Sequence, residues 1–478
     1  MNDLEEILKE SSISLYPKSI NHINDSIVAV VNRDNDNYLI VFGNHFNFHG
    51  QEITINNTKL FLSPLIHENA NELRRLFEFT APQPVLRNKR SFGVGDRLGI
   101  ATLGHIDVFN KYDASPILAQ QSIRELNLTE RTYEDVLDAV TFAVFKEGFK
   151  RGFGADGDHL KKEEDIKYAL SLGFSMITLD CSEYIKTPLN NYDNIDISQY
   201  HDYLKEFTIE DQKVRFDEKS LKACVYIYKD AINFIIYIYN KYIKENLDKL
   251  DFEVSIDETM TPTTPCEHFF VANELAKMNI KVTTIAPRFC GEFQKGIDYI
   301  GDINQFEKEL KIHAAIARHF NYKLSIHSGS DKFKTFKLIG KYTNGNFHVK
   351  TAGTNWLEAV KIVAMVDYEL YREIHKYALK RFNDATKFYH VTTNLNNIPD
   401  VDKVANEKLV DLLNNDDCRQ LLHINYGFIL TDKDEFGNYV FKDKLYKLWK
   451  ENENLYRKAL FTHIGHHLEL LYNGFEEE

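Results

Sequence analysis

The stretch Gly152-Phe153-Gly154-Ala155-Asp156-Gly157-Asp158-His159 decides how this chain is read. It has an apolar lead-in, three glycines that let the backbone turn tightly, and two carboxylates and an imidazole offered where a strand would end. Groups this close can hold a divalent metal or move protons. The plain alternative is a solvated turn, so the decision rests on what accompanies the stretch.

Outward from it, β-type runs alternate with longer helical ones, the pattern of βα units around a parallel sheet. Eight candidate strands stand around Phe92 to Thr102, Ile117 to Gln121, Gly152 to Asp156, Ser175 to Asp180, Phe252 to Asp257, Val282 to Pro287, Leu324 to His327 and Phe347 to Thr351. Eight strands close a (β/α)8 TIM-like barrel. A doubly wound open sheet shares the same periodicity. Helices are expected over Tyr133 to Glu147, Glu163 to Leu172, Leu221 to Lys244, Glu267 to Met278, Gln305 to His319 and Trp356 to Lys380, with a short one near Lys332 to Leu338. The polar segment Tyr184 to Lys219 reads as an insertion.

Residues 1–85 carry short β-type runs split by Asn/Asp turns, and read as a small β-rich N-terminal extension ending at the prolines of Ala81-Pro-Gln-Pro84. The catalytic barrel is then expected over 86–384. Residues 385–478 are expected to form a helical C-terminal region packed on it, with Lys444 to Leu471 its longest amphipathic stretch.

Of the 478 residues, 43% are hydrophobic and 27% charged, which suits a folded globular protein. With 71 acidic against 58 basic residues the net charge is -13, and no dense Lys/Arg block appears, so a nucleic-acid partner is disfavoured. The acidic start Met1-Asn-Asp-Leu-Glu-Glu6 lacks a secretory leader pattern, and the greasiest run, Ala231 to Ile243, is too short and too polar for a membrane span. A cytoplasmic protein is expected. Five scattered cysteines without a CxxC pair fit reduced, packed thiols. A homo-oligomer stays open.

Barrel chemistry sits at the C-terminal ends of the strands. There the third strand offers Asp156, Asp158 and His159, the fifth Asp257 and Glu258, the sixth Arg288 and then Glu292, the seventh His327, Ser328 and Asp331, and the eighth Lys350. Two imidazoles and a carboxylate with open positions suit Mn, Fe, Co, Ni or Zn, and His159, Glu292 and His327 could make that set. Asp158 and Glu258 then remain as an acid and base pair. Each has an ordinary alternative: a hydrogen-bonding loop histidine, a helix N-terminal acid, or, for Arg288, a salt bridge. Their coincidence at five strand ends favours the site. Gly93-Val-Gly-Asp-Arg-Leu-Gly99 has the glycine spacing of a nucleotide loop but looks extended throughout, so Asp96 and Arg97 are read as facing a sugar acid instead.

Several runs resemble the tagaturonate epimerase family: Ser91-Phe-Gly-Val-Gly-Asp-Arg-Leu-Gly99, Leu118-Ala-Gln-Gln-Ser-Ile-Arg-Glu-Leu126, Gly152 to Leu160, Ser255-Ile-Asp-Glu-Thr259, Ser325-Ile-His-Ser-Gly-Ser-Asp-Lys332, Lys350-Thr-Ala-Gly-Thr-Asn-Trp356 and Leu421-Leu-His-Ile-Asn-Tyr-Gly427. The likeness runs from about residue 85 to 430. It implies a metal-dependent enzyme that interconverts D-tagaturonate and D-fructuronate, with Asp158 as proton acceptor, Glu258 as proton donor and His159, Glu292 and His327 as metal ligands. Asp96, Arg97, Gln120, Arg288, Ser328, Lys332 and Lys350 are expected to contact the sugar acid, and tagatose and fructose are conceivable neutral substrates. The rival readings are a metal-dependent ketose 3-epimerase or sugar isomerase, and a non-catalytic sugar-acid binding protein.

Overall fold

The computed structural model describes residues 3–9 and 11–475. Eight strands, β1 Arg90–Val94, β2 Ser115–Ser122, β3 Gly154–Leu160, β4 Met176–Asp180, β5 Asp251–Ile256, β6 Thr284–Pro287, β7 Lys323–Ile326 and β8 Phe347–Thr351, close into one barrel in chain order. Every neighbouring pair is parallel, β8 with β1 included. The expected (β/α)8 barrel is therefore present, and the open sheet is excluded by closure.

The strands were legible because a parallel strand is covered on both faces and reads as a short apolar run. Helix starts follow side-chain chemistry. Thr132, Asp217 and Thr264 each cap a helix through a reciprocal capping box. The helices Tyr133–Glu147, Glu163–Ser171, Pro265–Lys277, Ile303–His319 and Phe333–Tyr342 lie where the pattern predicts. Tyr184 to Lys219 holds a hairpin, Glu206–Ile209 with Gln212–Arg215, set against the helices Pro265–Lys277 and Ile303–His319.

Three expectations need correction. The extended run from Phe92 to Thr102 stops at Val94, because the Asp96 carboxylate accepts the N–H groups of Leu98, Gly99 and Ala101 at 2.9, 2.9 and 2.7 Å and turns the chain into the helix Thr102–Lys111. The single helix expected over Trp356 to Lys380 breaks at Asp367, whose side chain caps a new helix, Tyr368–Ala385. Lys444 to Leu471 is likewise two helices, Lys442–Glu451 and Glu453–Tyr472, parted at Asn452.

The N-terminal segment forms a six-stranded antiparallel sheet, with the helix His67–Leu76 packed on the barrel helix Tyr133–Glu147. At the other end, Glu453–Tyr472 packs between the helices that follow β1 and β7. Its Ile464, Leu468 and Leu471 share a core with Phe92 of β1. It thus fills the eighth helical position of the wall. The helix after β8, Thr354–Val366, sits in a second core around Trp356 and Trp449. Close approach is allowed by Gly340, where a Cβ would stand 1.9 Å from the Leu471 carbonyl oxygen. No helix among the described residues is long and apolar enough to cross a membrane.

A buried ionic latch ties this last helix to the barrel. Asp331, just after β7, lies 2.8 Å from His463 Nε2 and 3.0 Å from Arg419 Nη2, and its backbone N–H donates to His467 Nε2 at 3.0 Å. Because Arg419 and that N–H already occupy the set, we read Asp331, His463 and His467 as a latch rather than a metal cradle. Burial alone would lower the pKa of His463, but Asp331 and Glu358 outweigh it and raise it above 6.5. The carboxyl of Asp331, which burial would raise, is held low by His463 and Arg419.

A raised histidine pKa stabilises the fold fully below 6.5 and loses that contribution as pH climbs through the raised value. The thermal midpoint is therefore expected to fall between pH 6 and pH 9 by more in the wild type than in His463→Gln, measured by calorimetry. Equal slopes in both proteins would contradict the latch.

Candidate active site

The interior of this barrel is polar below its mouth, where branched aliphatic layers are usual. Lys350 of β8 places its buried ammonium 2.6 Å from Asp156 Oδ2, 2.5 Å from Asp158 Oδ1 and 3.2 Å from Glu253 Oε1, and donates to Thr178 Oγ1 at 2.8 Å. One cation so gathers strands β3, β4 and β5. Burial opposes every charge here, but the pairing decides which survive. Asp156 is pushed up to about 6, chiefly by burial. Burial would also raise Asp158, but Lys350 and His159 hold it well below the usual carboxylate range. Glu253 is held low against burial by Lys350 and His327, and Lys350 is itself raised by the three carboxylates.

Asp158 and His159 do not face opposite ways, as simple strand alternation predicts. Between Ile177 and Leu179 of β4 the partner advances from Gly157 to Leu160, a bulge on β3. His159 sits in it with φ 55°, in the left-handed region that few residues other than glycine adopt. The bulge turns the imidazole onto Asp158, whose Oδ1 lies 2.8 Å from His159 Nδ1. Strain at this one residue is what lets neighbours work on the same side of the mouth.

His327, following β7, faces His159 with ring centroids 4.8 Å apart. Its Nε2 lies 2.7 Å from Glu253 Oε1 and its Nδ1 3.1 Å from Asp257 Oδ1. Asp257 Oδ1 is also 3.7 Å from His159 Nε2. Assigning tautomers from these partners, His159 Nδ1–H donates to Asp158 and His327 Nε2–H donates to Glu253. That leaves His159 Nε2, His327 Nδ1 and Asp257 converging, with their donor atoms within 4.8 Å of one another. An imidazole ligand fixed through its other nitrogen by a carboxylate is the usual arrangement around a bound metal, so the donor set fits a divalent cation. Both imidazoles are raised in pKa against burial, His159 by Asp158 and His327 by Asp257 and Glu253, so a cation must displace protons.

Of the residues expected to act, Gln120, Asp158, His159, Glu258, His327, Ser328 and Lys350 line one small cavity at the mouth. Glu258 is exposed at its lip, 3.7 Å from Arg124 and 3.9 Å from Lys161. Glu292 and Arg288 line the adjoining cavity of about 340 Å³, together with Asp257, Glu258, His327 and Ser328. Glu292 is not among the residues whose donor atoms converge with His159 and His327; Asp257 is. Arg288 also donates to the Thr259 carbonyl.

Three expected substrate contacts are engaged inside the protein. Asp96 spends its carboxylate on its own loop, as described above. Arg97 is 1% exposed, with Nε and Nη2 donating to Glu125 Oε1 at 2.8 and 2.6 Å and its guanidinium 3.9 Å from the Tyr426 ring centroid. Lys332 donates to the carbonyls of Gln294, Ile297 and Ser330 at 2.8, 2.6 and 2.8 Å. Asp257, Arg124 and Lys295, which also line the mouth, were not singled out as contacts. Asp257 was visible at a strand end, whereas Lys295 belongs to a loop without a motif.

Replacing Lys350 by Met leaves buried carboxylates without their cation, a change that costs about 3–5 kcal/mol where a buried pair is broken. Lys350→Met is therefore expected to lower the urea midpoint strongly, and more at pH 8 than at pH 5, because protonation relieves carboxylates whose pKa has been raised. An unfolding free energy within about 0.5 kcal/mol of wild type by linear extrapolation would contradict this role.

Comparison with known proteins shows the family. The family model described as tagaturonate epimerase, UxaE, matches residues 16–471. The chain is 42% identical over 418 residues, 85% of each protein, to a tagaturonate/fructuronate epimerase of Thermotoga maritima. It superimposes with a TM-score of 0.93, at 49% identity and covering 98% of both chains, on a glycerol complex of the fructuronate-tagaturonate epimerase UxaE from Cohnella laeviribosi. The native crystal structure of that enzyme gives the same TM-score at 48% identity. With its barrel, its polar mouth and these relatives together, the chain is an isomerase-class enzyme of the tagaturonate epimerase family.

Proposed function

We propose that this enzyme interconverts D-tagaturonate and D-fructuronate by epimerising C4, with the help of a divalent cation. The observation that carries the reading is the meeting of an ionised carboxylate, Asp158, with the converging donors His159 Nε2, His327 Nδ1 and Asp257. A binding protein has no use for a base held ionised beside a metal-type donor set. The relatives named as epimerases of these two uronates support the substrate. A reducing cytoplasmic setting is in keeping with five free thiols, four of them buried.

The C4 proton is not α to the C2 ketone, so simple abstraction is disfavoured. Asp158 instead takes the proton from the C4 hydroxyl. The bond between C3 and C4 breaks, its electron pair passes into the C2–C3 enediolate, and C4 becomes an aldehyde. When bound, the cation supplies Lewis acidity that stabilises negative charge at the C2 oxygen. Rotation about C4–C5 offers the other face of the aldehyde, C3 adds back, and Glu258 protonates the new C4 oxygen. Lys350 keeps Asp158 ionised before the step and offsets the charge around it afterwards. We keep Glu292 as a candidate fourth donor, because it lines the adjoining cavity beside His327.

Purified protein stripped with EDTA is expected to lose turnover of tagaturonate to fructuronate and to regain it with one of Mn2+, Ni2+, Zn2+ or Co2+. His327→Ala and Asp158→Asn should each lower kcat by at least about 100-fold, in line with the loss of a ligand or a general base. Full turnover after EDTA, or in His327→Ala, would sink the metal reading. In D2O the product should carry no deuterium at C4. Deuterium there would overturn the cleavage route.

A further inference from the structure

Resting on that substrate class, we propose that Lys295 binds the carboxylate of the sugar acid and makes the site prefer a uronate over a neutral ketose. A uronate brings one negative charge into the mouth, and a buried anion needs a cation that is not already neutralised. Most cations around the barrel mouth are spoken for. Lys350 is held by three carboxylates, Arg97 by Glu125, and Lys332 by three carbonyls. Arg124 lies 3.7 Å from Glu258 and over the Tyr389 ring. Arg288 donates to the Thr259 carbonyl and lines the adjoining cavity instead. Among the cations that line the cavity of Asp158 and His327, Lys295 is different. Its ammonium donates to the Ser328 hydroxyl at 3.2 Å, and no ion pair holds it among the described residues.

Its backbone, by contrast, is gripped from both sides. Lys332 takes the carbonyls of Gln294 and Ile297, which flank Lys295. Arg419 donates to the Gly296 carbonyl at 2.6 Å, and Gln420 Nε2 donates to the Lys295 carbonyl at 3.4 Å as well as to the Gln294 side chain. Gly296 has φ 79°, and a Cβ there would come within 3.2 Å of His423, so the turn admits little else. Two segments, the loop at Lys332 and the helix Asp416–Ile424, thus fix the stretch that brings Lys295 to the cavity that Asp158 and His327 share. Burial also pushes its pKa below the ordinary lysine value, the cost of a cation waiting for its anion.

The placement suits the chemistry. A carboxylate anchored at Lys295 and Ser328 holds the three-carbon aldehyde fragment by C6 while C4 turns over, so the fragment stays in register for the return addition. Lys332 then acts as a positioning residue, through the loop rather than on the sugar.

The test compares wild type, Lys295→Met and Lys295→Arg on tagaturonate and on tagatose. The ratio of kcat/KM, tagaturonate over tagatose, is expected to fall at least about 30-fold in Lys295→Met, mainly through KM, the low end for truncating one partner of a buried charge pair. Lys295→Arg should recover part of it. Calorimetric titration with D-gluconate and its neutral counterpart D-glucitol provides a second measure, with gluconate binding weakened selectively in Lys295→Met. A ratio that stays within about threefold of wild type, or gluconate affinity equal in both proteins, overturns the proposal. If wild type turns over neither sugar yet binds gluconate through Lys295, the carboxylate site stands and the epimerase reading fails.

Discussion

One buried ammonium governs the active end of this barrel. Lys350 lies among Asp156, Asp158 and Glu253, and three buried carboxylates could not coexist so closely without it. The division of charge that results has a chemical order. Asp156, fully buried, is the one nearest to taking up a proton, at about 6. Asp158, one step nearer the mouth, stays ionised, and Glu253 stays ionised to orient His327. The ionised Asp158 and the oriented His327 thus both depend on one cation's position.

Around that centre the chain invests distant segments in geometry. The bulge at His159 brings two adjacent residues to one side, and the loop at Gln294 to Ile297 is clamped by Lys332 from the β7 side and by Arg419 and Gln420 from the C-terminal region. The helix Glu453–Tyr472, latched through His463 and Asp331, closes the wall between the helices that follow β7 and β1. Most residues at the mouth come from strand ends, while the loop at Gln294 to Ile297 is held by residues from β7's following loop and from beyond the barrel. Such support is what holds a site to the tolerance that proximity effects require.

The barrel was legible from sequence because buried parallel strands and capped helices are local patterns, as with Gly154–Leu160 and the Thr132-capped helix. Most of the residues at the mouth were legible for the same reason: Asp158, His159, Asp257, Glu258 and His327 stand at strand ends. What sequence could not supply was pairing across long separations. Whether Arg97 faces a sugar or Glu125, and whether Lys332 points into the cavity or onto backbone carbonyls, depends on partners that only folding brings near. Lys295 was invisible for the converse reason, since what sets it apart is that no ion pair holds it among the described residues. Asp96 misled differently, because a carboxylate gathering three N–H groups ends a strand that composition alone would extend.

The central claim, that His159 and His327 with a carboxylate between them form a divalent-cation site beside an ionised Asp158, is tested most directly by cobalt spectroscopy. Titrating metal-free protein with Co2+ should raise a visible absorption band that saturates at about one equivalent per chain, as expected for a nitrogen and oxygen donor set. The band should vanish in His159→Ala and His327→Ala and weaken or shift in Asp257→Asn. No saturable band in wild type, or an unchanged band in both histidine variants, would contradict the account.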